Sequence, residues 1–81
     1  VIMSSKERRF LEIILGQRLK ELRTERNLTQ RQVAEPLNIS VAAYSHYEKS
    51  EREPPLSLLA DFSAFFEVSV DYLLGLKEDD F

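Results

Sequence analysis

The 81-residue sequence has no cysteine and no tryptophan, two glycines, three prolines and one histidine. Without cysteine it can build neither a disulfide framework nor a thiolate metal site, a usage that suits a reducing compartment, and a cytoplasmic location is expected. The lone His46 cannot supply a multi-histidine metal site or a base with a second histidine to orient it. No glycine-rich phosphate loop is present, and the carboxylates Glu51 with Glu53 and Asp79 with Asp80 are neighbours only along the chain. Neither enzymatic chemistry nor a metal or cofactor is therefore expected. Uncharged runs are too short to span a bilayer, so no membrane partner is expected. Val1-Ile2-Met3 lacks the basic-then-apolar order of a secretory signal, and residues 1–4 are read as disordered or added ahead of a start at Met3.

What is present fits one small domain: 43% hydrophobic and 31% charged residues, with five phenylalanines. A core this small leaves little spare stability, and association would help it. The net charge of −3 and a pI of about 5.1 argue mildly against a nucleic-acid partner. The distribution argues otherwise. Residues 1–31 carry eight basic and four acidic side chains, residues 32–81 three basic and ten acidic, so the chain is polarised.

Apolar residues mark out helices. Leu11, Leu15, Leu19 and Leu22 recur at helical spacing from Ser5 to Arg26, with Lys20, Arg23 and Arg26 turned outward, and Gly16 is the place where that helix would be interrupted. Asn27 suits a left-handed stop. Thr29-Gln-Arg-Gln32 has the form of a capping box, opening a short helix whose inner face is Val33, Ala34 and Leu37 and whose end is Asn38. Ile39 alone separates that stop from Ser40, the next N-cap, and can staple against Tyr44. Helix, short turn and helix is the spacing of a helix-turn-helix unit. Ser50 to Pro55 breaks the third helix, Pro55 opens a fourth over Leu56 to Phe66, and Ser69 caps a fifth, Val70 to Leu74, stopped by Gly75. No period-two alternation is long enough for a strand, so the fold class is all-α.

Gly16-Gln-Arg-Leu-Lys-Glu-Leu-Arg23, Asn27-Leu-Thr-Gln30, Val33-Ala-Glu35, Tyr47-Glu-Lys49 and Val68-Ser-Val-Asp-Tyr-Leu-Leu-Gly75 stand in the order found in the Xre/Cro/CI helix-turn-helix family, which this chain resembles over about residues 15–76. The resemblance implies a five-helix, lambda-repressor-like domain, here with an N-terminally extended first helix, spanning residues 5–76 and followed by an acidic tail or linker at 77–81. It implies double-stranded DNA as partner, a homodimer, and a third helix, about 41–48, inserted into the major groove of a palindromic operator, most often for repression. Matched by position, Val41, Ala42, Ala43, Ser45 and His46 stand where the family reads bases. Gln30, Arg31, Lys49 and Arg52 stand near phosphates, and Arg23 pairs with Glu48 as a structural ion pair. Many relatives carry a further C-terminal domain.

At the reading positions, Val41 and Ala42 offer apolar contact of the kind that selects the thymine methyl, Ser45 can donate or accept, and His46 can address a purine N7. Ala43 serves equally as a small residue that lets two elements approach, and Tyr44 and Tyr47 are read as core. Plain surface charge is the alternative for Lys49, Ser50 and Arg52, and Glu51 and Glu53 weaken the phosphate reading. Pro36, where the family usually has a residue with an N–H to give, predicts a bent or early-ending second helix. Along the fourth helix Leu56, Leu59, Ala60 and Phe66 are assigned to the inside. Leu58, Phe62 and Phe65 form a second stripe, read as packing on Phe10, Ile13 or Ile14 of the first helix in the same chain or in a second one, with Leu76 and Phe81 beside it; in the second case Leu58, Phe62, Phe65 and Leu76 make a dimer interface. The acidic total, the aliphatic reading face and that stripe also support an alternative function, a protein-interaction module on the same scaffold with weak or lost DNA binding.

Overall fold

In the computed structural model, which describes residues 2–78, five helices follow one another: α1 Ser5–Glu25, α2 Gln30–Ala34, α3 Val41–Glu48, α4 Leu56–Phe66 and α5 Val70–Leu73. Among the described residues there is no strand, and no helix is long and apolar enough to cross a membrane. Four of the starts are side-chain capped. Thr29, Ser40 and Ser69 accept from the backbone N–H of Gln32, Ala43 and Tyr72, and Thr29 completes a capping box with Gln32. Ser4, at the edge of the stretch read as disordered or added, is in fact the N-cap of α1. Its oxygen accepts from the Glu7 N–H at 3.2 Å, and Glu7 accepts the Ser4 N–H at 3.0 Å. These bonds, the backbone one first, hold the Glu7 carboxyl below its ordinary value.

The helix ends share one device. Asn27, Asn38, Ser50, Glu67 and Gly75 all have φ between 55° and 75°, the left-handed region. After each, the next residue's N–H reaches back five positions: Leu28 to Arg23, Ile39 to Ala34, Glu51 to His46, Val68 to Ser63 and Leu76 to Asp71. This is the Schellman closure, which satisfies terminal carbonyls while reversing the chain. Pro36 fits within it. Having no N–H, it cannot extend α2, which ends at Ala34 and passes through a turn at residues 35–38.

The core gathers Leu15, Leu19, Leu22, Val33, Ala34, Tyr44, Tyr47, Leu58, Phe62, Phe66 and Leu73. Phe62 is fully buried, and its ring meets Tyr44 and Tyr47 edge-on at centroid separations of 6.1 and 5.9 Å. That packing overturns the expected orientation of α4. Leu58, Phe62 and Phe66 face inward, Leu56 is 83% exposed and Ala60 is exposed as well. Leu58 and Phe62 are therefore core residues of the single chain and not a dimer interface. Phe65 is half-buried against the core, and of the four only Leu76 is largely exposed. The helix has apolar side chains on nearly every face, so periodicity alone did not choose, and the aromatic contacts with α3 do.

Gly16 does not interrupt α1. A side chain there would come within 2.5 Å of Ser50 Oγ, 2.6 Å of the Glu48 carbonyl and 2.9 Å of the Tyr47 carbonyl, so the glycine is where α1 and the end of α3 touch backbone to backbone. Ile14 lies against Gly75, whereas Phe10 remains 60% exposed. Phe81 and the Asp79-Asp80 pair fall outside the described residues.

Candidate nucleic-acid interface

α3 is divided by burial. Tyr44 and Tyr47 point into the core, and Val41 and Ala43 are half-buried against it. Ala42, Ser45, His46 and Lys49 are spaced i, i+3, i+4 and i+7 and make the outer face, with Ala42 and Lys49 exposed and the other two half-buried. The five residues expected to read bases thus separate. Ala42, Ser45 and His46 share the open face, whereas Val41 and Ala43 give part of their surface to packing. The face carries no formal charge until Lys49.

The inner side of the same helix is fixed by Glu48. Arg23 reaches it with two parallel bonds, Nε to Oε2 at 2.6 Å and Nη2 to Oε1 at 3.1 Å, and donates a third to the Leu28 carbonyl at 3.0 Å. The side chains are only 15% and 4% exposed. Burial pushes the Glu48 carboxyl upward, but the contacts of Arg23, Tyr44 and Gln30 outweigh it and hold the group below its ordinary value. The Glu48 hydrogen bond raises the Arg23 guanidinium in turn. Tyr44 has a buried hydroxyl beside this carboxylate that completes no hydrogen bond of good geometry. Burial first, then Glu48, pushes the phenol well above its usual value. The pair locks the end of α1 and the turn before α2 to the last turn of α3, setting the angle at which the outer face is presented.

Of the residues placed near phosphates, Gln30 directs one amide hydrogen to Glu48 Oε1 at 3.2 Å and keeps the other. Arg31 is 70% exposed and meets Glu35 at 3.4 Å across one helical turn, a contact of little energy that a phosphate can displace. Lys49 and Arg52 are exposed, and their side chains form no hydrogen bond or ion pair among the described residues. Ser50 is different. It is buried, its hydroxyl donates to the Glu12 carbonyl at 3.0 Å, and its own carbonyl accepts from Arg9. Arg9 also pairs with Glu12 at 3.0 Å.

The first half of α1 is thereby clamped to the loop that follows α3, a role the sequence reading did not assign to Arg9, Glu12 or Ser50. The signal for it was the glycine at 16, which permits the approach. Two other N-terminal cations also have partners within the domain. Arg26 donates to the Phe66 carbonyl at 2.9 Å, and Arg18 lies 4.1 Å over the Tyr72 ring. Over residues 29–53 three cations face four carboxylates.

A helix-turn-helix family model matches residues 19–73. The chain is 45% identical to the HTH-type transcriptional regulator ImmR of Bacillus subtilis strain 168, over 79% of its own length and 50% of that protein's. It is 42% identical to the HTH-type transcriptional activator BcrR of Enterococcus faecalis, over 78% and 31%. It is 36% identical to the immunity repressor protein of Bacillus phage phi105, over 75% and 42%. The chain spans about half the length, or less, of these relatives.

Proposed function

Because the chain belongs to the helix-turn-helix family, of the Xre/Cro/CI type, we propose that it is a sequence-specific DNA-binding transcriptional regulator working in the cytoplasm. In this reading α3 lies in the major groove, with Ala42, Ser45 and His46 toward base edges and with Arg31, Lys49, Arg52 and the free amide hydrogen of Gln30 toward phosphates. The observation that carries it is the outer face of α3: Ala42, Ser45 and His46 lie together on its solvent side, the exposed Lys49 follows them, Arg31 is exposed on the preceding helix, and the Glu51 carboxylate meets the face at His46. Apolar and hydroxyl contacts distinguish base pairs in the major groove through the thymine methyl and the purine edge. The mode of action is repression by occupancy, since a domain seated in the groove excludes other proteins from the same stretch. Two copies on a palindrome would set their α3 helices about 34 Å apart. Leu56, Leu76 and Phe10 are exposed apolar residues to seek at their contact.

A second reading, a protein-interaction module, draws support from the four carboxylates against three cations around α3. Selection of bound duplexes from a random pool, at a fixed stated salt, separates the two. The regulator enriches a motif, Arg31→Ala weakens binding to all sequences alike and lowers the salt slope by about one, and Ser45→Ala changes the motif. Failure to enrich any sequence at low salt refutes the regulator.

A further inference from the structure

His46 Nδ1 lies 2.8 Å from Glu51 Oε1, between side chains 44% and 51% exposed, and the backbone sets the two residues side by side. In the closure at the end of α3, the Glu51 N–H binds the His46 carbonyl at 2.9 Å and the Ser50 N–H binds that of Tyr47 at 3.1 Å. The two bonds set Glu51 beside His46 at the positions whose side chains touch in this motif, usually through an apolar contact. A hydrogen bond takes the place of that contact here. The reversal is itself anchored, because Ser50, with φ of 60°, is held from both sides by Glu12 and Arg9 on α1. Neighbouring ionisable groups do not compete for the ring: Glu48 is committed to Arg23, and Lys49 is exposed to solvent.

A carboxylate oxygen accepts and does not donate, so this contact requires the hydrogen on Nδ1. In a neutral ring that leaves Nε2 as a lone-pair acceptor facing outward. We propose that Glu51 is a positioning residue that fixes the His46 tautomer, so that the outer face of α3 offers an acceptor to the groove and selects bases with an exocyclic amino group. Adenine N6 and cytosine N4 present hydrogens there, whereas guanine and thymine present only acceptors and the methyl. This reverses the expectation that His46 addresses a purine N7, which needs a donor. The inference rests on the DNA-binding reading for its consequence, but the tautomer itself does not.

Because His46 is the only histidine, its ring nitrogens can be followed without assignment ambiguity by long-range proton–nitrogen correlation at about pH 8.5, where an imidazole is ordinarily neutral. The expected signature is the Nδ1–H tautomer in the wild type and a shift toward Nε2–H in Glu51→Ala. An Nε2–H ring or an imidazolium in the wild type overturns the proposal. Duplex selection at the same pH should enrich adenine or cytosine at one position per half-site, at least about fivefold over guanine. Glu51→Ala should relax that preference while Glu51→Asp restores part of it. Enrichment that Glu51→Ala leaves unchanged refutes the readout. A locked tautomer with no enrichment at any position refutes DNA reading instead and leaves the lock standing.

Discussion

Replacing Glu48 by alanine tests whether the Arg23–Glu48 pair supports the mounting of α3. The substitution removes both parallel bonds and leaves a guanidinium 15% exposed with only the Leu28 carbonyl as partner. Breaking a buried pair costs about 3–5 kcal/mol, and because Arg23 borders solvent and keeps one bond, the loss here is about 2–3 kcal/mol. A domain of this size loses about 4–8 °C of Tm per kcal/mol, so Glu48→Ala should melt roughly 10–20 °C lower, with urea midpoints moved and m unchanged. Glu48→Gln keeps the shape and should lose about half as much. The pair also has a pH signature. The carboxyl is held below its ordinary value in the folded chain, so between that value and the unfolded one, about 4.3, the unfolded state binds more protons and stability rises with pH. The contribution is complete above the unfolded value and disappears as pH falls through the folded one, so acidification should lower the wild-type Tm more steeply than that of Glu48→Gln. A Glu48→Ala protein melting within about 2 °C of wild type, or equal acid slopes, would refute the reasoning.

Gly16→Ala gains helix propensity of about 1 kcal/mol but drives a methyl into two backbone carbonyls closer than 3.0 Å, and the overpacking wins: thermal melting should show a net loss of about 1–2 kcal/mol. Leu58→Ala should cost about 2–5 kcal/mol while leaving the sedimentation behaviour of the folded fraction unchanged, because the side chain is in the core; a change of association state at unaltered stability would contradict that placement. Glu67→Gly should stabilise the fold by about 1 kcal/mol, read as a raised urea midpoint, since glycine occupies the φ of 56° without strain, and a lowered midpoint would show that Glu67 is not strained there.

Legibility in the sequence followed chemistry that is local. The caps at Thr29, Ser40 and Ser69 and the left-handed stops at Asn27, Asn38 and Gly75 could be read because their side chains, or the lack of one, suit those positions intrinsically. Ser50 and Glu67 make the same closure without any such preference. Ser50 is held there by Glu12 and Arg9, partners some forty residues away, which no local pattern reveals. The α4 orientation failed for a related reason: two apolar stripes compete, and only the rings of Tyr44 and Tyr47 decide between them. The contact between His46 and Glu51 was hidden because a separation of five matches no helical face; it exists only because the helix reverses at Ser50.

Charge polarity carried the case for a polyanionic partner, and the structure redistributes it. Among the eight basic residues of the N-terminal stretch, Arg9, Arg18, Arg23 and Arg26 have partners within the domain at Ser50, Tyr72, Glu48 and Phe66, and of these Arg18 and Arg23 are largely withdrawn from the free surface while Arg9 and Arg26 stay exposed. The cations left bordering the outer face of α3 are Arg31, Lys49 and Arg52. If these make the phosphate contacts, log K should fall with log salt at a slope of about −2.7 per bound copy, taking about −0.9 for each contact. Three contacts give weak nonspecific binding, so tight occupancy would have to come from two copies on one palindrome, with twice the slope. Fluorescence anisotropy on a half-site duplex and on the full palindrome, between about 50 and 200 mM salt, measures both slopes. A half-site slope steeper than about −5 would mean that cations elsewhere, such as Lys6, Arg8 or Lys20 on α1, reach the backbone, and that α3 approaches the groove from a direction other than the one its flanking charges define.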